Sequence, residues 1–270
     1  MTSTSESQQQ LQPVSSTAIV AHGRVDVNDA VARVRAVAES AGVTVVEEPR
    51  DADLAVALGG DGTILRTLAR LLGSGVPVIG VNFGRVGFLA SISPGDLEPG
   101  LQRVFGGAYK VAELPTLEAS LDGATHVAVN DIVATSSTLG RMVELAWSIG
   151  GEDLGVVPCD GMICATPSGS TAYNLSNGGP VLVRGLDAMS VTFIAPHSLH
   201  ARPLVVPRGL ALTVANRTPD VALAVLVDGH RVGEMGPEEH VSISLCDQRS
   251  LLATLPETTF FGRYRETFSS

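Results

Sequence analysis

The first part of the chain alternates apolar runs with stretches of helical periodicity. Apolar runs that indicate buried strands lie at 17–21, 43–46, 54–58 and 77–81. Apolar residues at helical spacing predict helices over about 27–41 and 64–72, with Gly42 and Gly73 at the positions of C-terminal caps. This order of elements is typical of an α/β domain with an open, mostly parallel sheet.

From about residue 116 the pattern changes to short strands with little helix between them. Strand-like runs lie at 117–121, 127–129, 143–149, 190–195, 211–214, 222–227 and 241–245. Gly, Pro, Asn and Asp separate these runs, which favours a β-rich, sandwich-like second domain.

The change of pattern predicts how the chain is divided. We expect a disordered tail over 1–16, an α/β domain over 17–115, a β-rich domain over 116–257 and a C-terminal segment over 258–270 that packs back on the α/β domain. The last segment is rich in aromatic residues, and it is either a closing helix over 259–268 or a patch that fills a core edge.

Charge and composition exclude several classes of partner. The net charge is −10, which argues against binding to duplex nucleic acid. Lys110 is the single lysine, so a phosphate pocket must use arginine, backbone amides or a metal ion. Cys159, Cys164 and Cys246 are too few and too irregularly spaced for a disulfide framework or a zinc site. Without a long apolar run or a hydrophobic signal core, we expect a cytoplasmic protein that does not bind membranes.

A glycine-rich turn carries the first chemical signal. Gly59-Gly60-Asp61-Gly62-Thr63 ends a predicted strand and opens a helix, where backbone amides and the helix dipole favour phosphate. A carboxylate repels phosphate, so Asp61 is better explained as the acceptor of a proton from an attacking hydroxyl or as a ligand of Mg²⁺. The structural alternative is a tight turn in which Asp61 caps the helix.

The five-residue turn resembles the signature shared by NAD kinases and by lipid kinases of the diacylglycerol and sphingosine type. Phosphofructokinases carry a near variant, and all of these enzymes transfer a phosphoryl group to a hydroxyl. The chain has neither a phosphate-binding P-loop sequence nor the protein-kinase signatures. The turn therefore predicts the reaction class and leaves the acceptor open.

Three further segments resemble those of NAD kinases, and this resemblance implies that the acceptor is NAD. They are the Asn82–Leu89 segment, the Asn130-Asp131 pair and the run from Asp160 to Ser176. Judged without the resemblance, Phe88 is a core residue, Asn130-Asp131 is a turn and the third segment is a helix cap.

The resemblance covers about 17–268 and implies the site residues. It implies Asp61 as the catalytic residue. Together with the glycine turn, it leads us to predict phosphate or ATP contacts from Gly59, Gly60, Gly62, Thr63 and Arg66, and NAD contacts from Asp61, Gly62, Phe88, Asn130, Asp131, Arg141, Asp160, Ser168, Thr171, Ala172, Tyr173, Asn174, Leu175, Ser176 and His230.

The resemblance also implies the reaction and the partners. The expected enzyme is an NAD kinase that phosphorylates the 2′-hydroxyl of the adenosine ribose, with ATP or polyphosphate as donor and a divalent metal, Mg²⁺, as cofactor. It is expected to form a homodimer or homotetramer. The alternatives are a lipid or other small-molecule kinase and a non-catalytic NAD sensor.

The chain departs from the family pattern at two positions. Pro158 stands where many relatives have a basic residue, and Arg66 or Arg141 are the candidates to supply that charge. Asp131 stands where glutamate is commoner, which shortens the reach of the carboxylate by one methylene.

Overall fold

The computed structural model describes residues 13–21, 28–84 and 87–268. Its strands are β1 Ser16–Ala21, β2 Thr44–Val46, β3 Leu54–Gly59, β4 Val78–Asn82, β5 Lys110–Leu121, β6 Ala124–Ala128, β7 Asp131–Ser136, β8 Val143–Ile149, β9 Glu152–Cys159, β10 Gly161–Ala165, β11 Ala188–Ile194, β12 Leu204–Pro207, β13 Leu212–Asn216, β14 Leu223–Val227, β15 His230–Met235 and β16 His240–Thr254. Its helices are α1 Asn28–Ser40, α2 Asp61–Arg70, α3 Leu97–Phe105, α4 Tyr173–Ser176 and α5 Phe260–Phe268.

The contacts divide the chain into two compact units. Unit 1 holds the described residues up to Glu113 together with those from Ser250 onward, and unit 2 holds Leu114–Arg249. We expected residues 250–257 in the second domain. They group with unit 1 because Leu252 and Ala253, near the end of β16, pair in parallel with β4.

Unit 1 is built on a parallel sheet. Its strands lie in the order β2-β1-β3-β4, and the end of β16 pairs beside β4, with every register parallel. All residues of β3 are buried, as expected for a parallel strand covered on both faces. The buried faces of α1 and α3 join this core, which confirms the expected open α/β sheet.

The start of unit 1 differs from the expected tail. The Val14 side chain is 5% exposed, and its N–H donates to the Phe105 carbonyl at 3.1 Å. The N–H groups of Ser15 and Ser16 donate to the Asp53 carboxylate, so the expectation of disorder fails at 14–16. Residues 1–12 and Val27, the first apolar position of the expected helix, lie outside the described residues.

Unit 2 is a β-sandwich of antiparallel strands. One sheet has the order β12-β11-β10-β7-β14-β15, and the other includes β16-β13-β8-β9 with β5 and β6. Side chains of both sheets form one core, in which the Trp147 ring of β8 meets the Phe193 ring of β11 edge-on at 5.3 Å. The expected β-rich second domain is confirmed.

Several elements lack a clear signal in the sequence. We did not predict α3, β7, β9, β12 or β15, whose apolar runs are short or interrupted by polar residues. The expected closing helix over 259–268 is present as α5. In the described part of the chain, no helix combines the length and the apolar character needed to cross a membrane.

Candidate functional site

The glycine turn joins β3 to α2 in unit 1. Gly60 is the N-cap of α2, so no side chain caps the first amides of the helix, which begins at Asp61. A Cβ on Gly59 would overlap the Thr63 side chain, whereas a Cβ on Gly60 or Gly62 would meet nothing within 4 Å. The turn is therefore packed on its inner side and open beside a helix N-terminus, which suits an incoming phosphate.

Backbone amides of a distant loop hold the Asp61 carboxylate. Its Oδ2 accepts the Phe88 N–H at 2.8 Å, and its Oδ1 accepts the Leu89 N–H at 3.3 Å. A Cβ on Gly87 would overlap the carboxylate, so glycine is needed at this approach. Asp61 is the first residue of α2 and not its N-cap, which contradicts the capping alternative.

The other predicted contacts in unit 1, Phe88 and Arg66, differ in burial. The Phe88 ring is half-buried, with its centroid 5.8 Å from that of Phe260 and 5.9 Å from that of Phe268. Arg66 is exposed on α2, whereas Thr63 and Ile64 of the same helix are buried. Residues 85 and 86, in the middle of the Asn82–Leu89 segment, lie outside the described residues.

In unit 2, three strand ends meet at one edge of a sheet. Asp131 begins β7 and pairs with Ala165, the last residue of β10, while Ile132 pairs with Val227, the last residue of β14. The chain segments beyond these ends, around Asn130, Thr166 and Asp228, therefore lie together. We call residues 129–131, 166–171 and 228–230 the loop edge.

Close backbone contacts fix the loop edge. The Thr166 N–H donates to the Asn130 carbonyl at 2.8 Å, and Thr166 Oγ1 donates to the Val129 carbonyl at 2.7 Å. A Cβ on Gly169 would overlap the backbone of Asn130, so only glycine allows this approach. The structure thus brings Asn130-Asp131 and the third predicted segment together, although they are far apart in sequence.

Asp228 binds the backbone on which Asn130 and Asp131 sit. Its Oδ2 accepts the Val129 N–H at 2.9 Å, and its Oδ1 accepts the N–H groups of Asn130 at 2.7 Å and Asp131 at 3.2 Å. Asp228 has φ of 48° and Gly229 has φ of 79°, which is the backbone of a two-residue hairpin between β14 and β15. We did not predict this role. An Asp-Gly pair between apolar runs is a signal for a hairpin, but such a signal does not reveal the contact with 129–131.

The two carboxyls of the loop edge have raised pKa values. Burial, with a smaller contribution from the Asp228 charge, raises the pKa of Asp131 to about 7. Burial also raises the pKa of Asp228, against the lowering effect of its three amide donors and of His230. Because this pKa is about 7, the buried Asp131 carboxyl, 6% exposed, carries its proton in a large fraction of molecules near neutral pH.

Two buried polar atoms at the loop edge have no hydrogen-bond partner in the described residues. They are Asn130 Oδ1 and Ser168 Oγ. Buried polar atoms in folded proteins nearly always have a partner, so two such atoms within the loop edge indicate a place where a polar ligand completes the bonding. This observation agrees with a nucleotide site and was not visible in the sequence.

The rest of the third segment divides into accessible and buried residues. Thr171 Oγ1 donates to the Ser168 carbonyl at 3.1 Å. Ala172 precedes α4 and is half-buried, as is Leu175, whereas Tyr173 and Ser176 are exposed. The accessible residues stay candidates for NAD contact.

The structure corrects the prediction for Asn174. Its side chain is fully buried, and its Nδ2 donates to the carbonyls of Ser170 and Pro180, each at 3.0 Å. Its Oδ1 accepts the hydroxyls of Ser190 at 3.0 Å and Thr192 at 2.7 Å. Because all four hydrogen-bonding positions of the amide are used, Asn174 supports the segment and is not available to a ligand.

Three of the remaining predicted residues are exposed. Arg141 pairs with Asp220 at 2.7 Å, so its guanidinium already has a carboxylate partner. Asp160 precedes the first residue of β10, at the opposite end from Ala165 and roughly 17 Å from it at the usual rise per residue, so it does not belong to the loop edge. His230 follows the hairpin at the loop edge.

Pro158, the position where many relatives have a basic residue, lies within β9 and supplies no charge.

The described side chains offer no ready-made cage for a metal ion. Within 13–21, 28–84 and 87–268, no three His, Cys, Asp or Glu side chains gather in a way that could hold one. Mg²⁺ usually binds through one or two carboxylates together with substrate phosphates. Asp61 beside an open helix N-terminus fits such an ion carried by phosphates, and no dedicated protein cage is needed.

Comparisons with known proteins agree on one family. The family model described as ATP-NAD kinase N-terminal domain matches residues 3–109, and the ATP-NAD kinase C-terminal domain model matches residues 129–255. A curated NAD kinase of Heliobacterium modesticaldum is 40% identical over 222 residues, which are 80% of this chain and 78% of the relative. An NAD kinase of Symbiobacterium thermophilum is 37% identical over 81% of this chain and 79% of the relative.

Solved structures agree with these matches. The crystal structure of an NAD kinase from Archaeoglobus fulgidus in complex with ATP is similar, with a TM-score of 0.78 and 27% identity over 94% of this chain and 97% of that chain. Yeast NADH kinase complexed with NADH has the same fold, with a TM-score of 0.83 over 97% of this chain and 88% of that chain, at 22% identity.

Proposed function

The chain belongs to the ATP-NAD kinase family and phosphorylates NAD to NADP, and on that premise we propose which residues bind the substrates and carry the reaction. The acceptor is the 2′-hydroxyl of the adenosine ribose, and the donor is ATP or polyphosphate. The observation that carries the proposal is the Asp61 carboxylate, held by two backbone amides at the open glycine turn.

The loop edge of unit 2 binds NAD in this proposal. The orphaned Asn130 Oδ1 and Ser168 Oγ supply polar contacts, and the exposed Tyr173 ring supplies a flat face. Asp131, with its raised pKa, donates a hydrogen bond when protonated and accepts one when ionised. Thr171, Ala172, Leu175, Ser176 and His230 complete the candidate set. Phe88 and Asp160 are proposed on the family resemblance alone, and Arg66 and Arg141 as candidates for the charge that Pro158 does not supply.

The glycine turn of unit 1 binds the donor phosphates. Gly60 and Gly62 leave the start of α2 accessible, and the close packing of Gly59 against the Thr63 side chain fixes the turn. Positioning of the phosphates and neutralisation of their charge provide most of the acceleration in phosphoryl transfer. With a single lysine in the chain, backbone amides at the helix start carry much of this task.

Asp61 accepts the proton in the transfer step. With ATP as donor, the ribose oxygen forms a bond to the γ-phosphorus as the bond from that phosphorus to the bridging oxygen breaks. ADP leaves, and the hydroxyl proton passes to Asp61. General-base action of this kind contributes about 10²–10⁴ in rate. A divalent cation, which we propose to be Mg²⁺, would be held mainly by the donor phosphates and would neutralise the charge of the transferred group.

An NADP-forming assay tests the proposal. Purified protein with NAD, ATP and Mg²⁺ should produce NADP, followed with an NADP-specific dehydrogenase, and Asp61→Asn should lower kcat by at least about 10²-fold. Binding of NAD to Asp61→Asn, measured by calorimetry, should remain. A variant with near-native turnover would remove Asp61 from the mechanism. Replacing ATP by polyphosphate and Mg²⁺ by Mn²⁺ in the same assay identifies the donor and the metal.

The other readings have less support. No similar protein reported above is a lipid kinase or a sensor, and a protein that only binds NAD has no need of the anchored Asp61 carboxylate. We propose a homodimer or homotetramer, as the family resemblance implies, and a cytoplasmic location. Light scattering of the purified protein tests the oligomeric state.

A further inference from the structure

The C-terminal helix α5 contacts the loop that holds Asp61. Arg263 of α5 donates from Nη2 to the Ala90 carbonyl at 2.8 Å. The Phe88 ring lies near Phe260 and Phe268, with centroid distances of 5.8 and 5.9 Å. These contacts reach both ends of the segment 88–90, which we call the anchor loop.

The anchor loop also contacts the proposed catalytic carboxylate. The N–H groups of Phe88 and Leu89 donate to the two oxygens of Asp61. Phe88 therefore binds Asp61 through its backbone and α5 through its ring. Leu89 and Ala90 are 5% and 3% exposed, so this part of the loop is packed in place.

We propose that α5 positions the Asp61 carboxylate by fixing the anchor loop, with Arg263 as the principal positioning residue. The inference rests on the proposed role of Asp61 as proton acceptor. Arg263 touches the loop backbone and acts on the reaction only through Asp61. A guanidinium that donates to a carbonyl forms a strong, directional hydrogen bond, and the Arg263 side chain is 21% exposed, which limits competition from water.

The size of the effect follows from the geometry of catalysis. A displacement of about 1 Å of a reacting group can lower the rate by about 10²-fold, whereas substrate affinity depends on many other contacts. Arg263→Met keeps most of the apolar side chain and removes the donor. It should lower kcat by roughly 10- to 100-fold and change KM for NAD and ATP by less than about threefold.

Matched variants separate positioning from stability. Arg265→Met removes an exposed arginine two residues along α5 and should leave kcat unchanged. Arg263→Lys keeps a cationic donor and should recover part of kcat, which a purely structural loss would not. Phe268→Ala removes one of the ring contacts of α5 with the anchor loop, leaves Arg263 in place and should also lower kcat. This variant keeps the inference testable if Arg263→Met fails to fold.

Amide hydrogen exchange of the full-length protein reads the anchor loop directly. In Arg263→Met the amides of Phe88 and Leu89 should exchange faster, while those of the buried strand β3 should not change. Native kcat in Arg263→Met, or faster exchange spread evenly over unit 1, overturns the inference. An active Asp61→Asn variant removes the proposed function instead, so the two failures are distinguishable.

Discussion

Asp228 fixes the backbone of Asn130, because its Oδ1 accepts the Asn130 N–H at 2.7 Å across 98 positions of sequence. The same carboxylate accepts the neighbouring amides of Val129 and Asp131. A hairpin tip thus holds the start of β7 and, with it, the polar groups proposed to contact NAD.

Replacing this carboxylate should weaken NAD binding. Asp228→Asn keeps the size and tolerates positive φ, but it turns one acceptor into a donor that faces a backbone N–H. We expect KM for NAD to rise about tenfold and the free energy of unfolding to fall by roughly 1–3 kcal/mol. Steady-state kinetics and urea unfolding measure both.

Asp122 provides the matched control for Asp228. Asp122-Gly123 forms another hairpin turn, with φ of 50° and 77°, close to the values at Asp228-Gly229. Asp122 is exposed, so Asp122→Asn should change neither KM nor stability. Equal effects of the two substitutions would show that the turn conformation matters and the bound amides do not.

The raised pKa of Asp131 predicts a specific dependence of stability on pH. Because the pKa is about 7 in the folded protein and near 4 when unfolded, the folded state holds the proton more tightly. The stabilisation is fully present below pH 4 and is lost as pH rises to about 7. Asp131→Asn removes this loss, so it should gain up to about 1.4 kcal/mol per pH unit over wild type in that window.

Urea unfolding of both proteins between pH 4.5 and pH 8, without NAD, checks the Asp131 prediction. The difference between variant and wild type should grow with pH and level off above about pH 7. A difference that is constant over the whole range would contradict a buried, protonated Asp131.

Gly87→Ala tests the contact between the glycine backbone and Asp61. The new Cβ would overlap the carboxylate, which must then move away from its two amide donors. We expect kcat to fall by about 10²-fold with little change in the unfolding temperature. Gly95→Ala is the comparison, because its Cβ meets only Ser93 Oγ at 3.9 Å, and it should remain fully active.

Asn174→Ala should act on stability and not on NAD contact. It leaves the buried hydroxyls of Ser190 and Thr192 and two carbonyls without their partner. A loss of about 3 kcal/mol or more in the free energy of unfolding is expected, with KM for NAD unchanged in the folded protein. Ser176→Ala, at an exposed position, should show the reverse pattern in the same two measurements.

Local patterns of the sequence determined much of this protein. The apolar runs predicted β1, β3, β4 and β8, and Gly59 to Thr63 predicted a strand-to-helix turn for phosphoryl transfer. These features depend on residues within a few positions of each other, where spacing and side-chain size act directly. The resemblance to NAD kinases, confirmed by the family models, supplied the acceptor.

The tertiary structure alone decided which groups meet. Asp61 receives its amide donors from 27 and 28 positions away, Asp228 binds the amide of Asn130, and Arg263 reaches the Ala90 carbonyl across 173 positions. Local spacing does not encode such partners, because a carboxylate or guanidinium can pair with any group that the folded chain brings near it. Asn174 is the clearest case, since the same sequence position reads as a ligand contact and folds into a saturated buried amide.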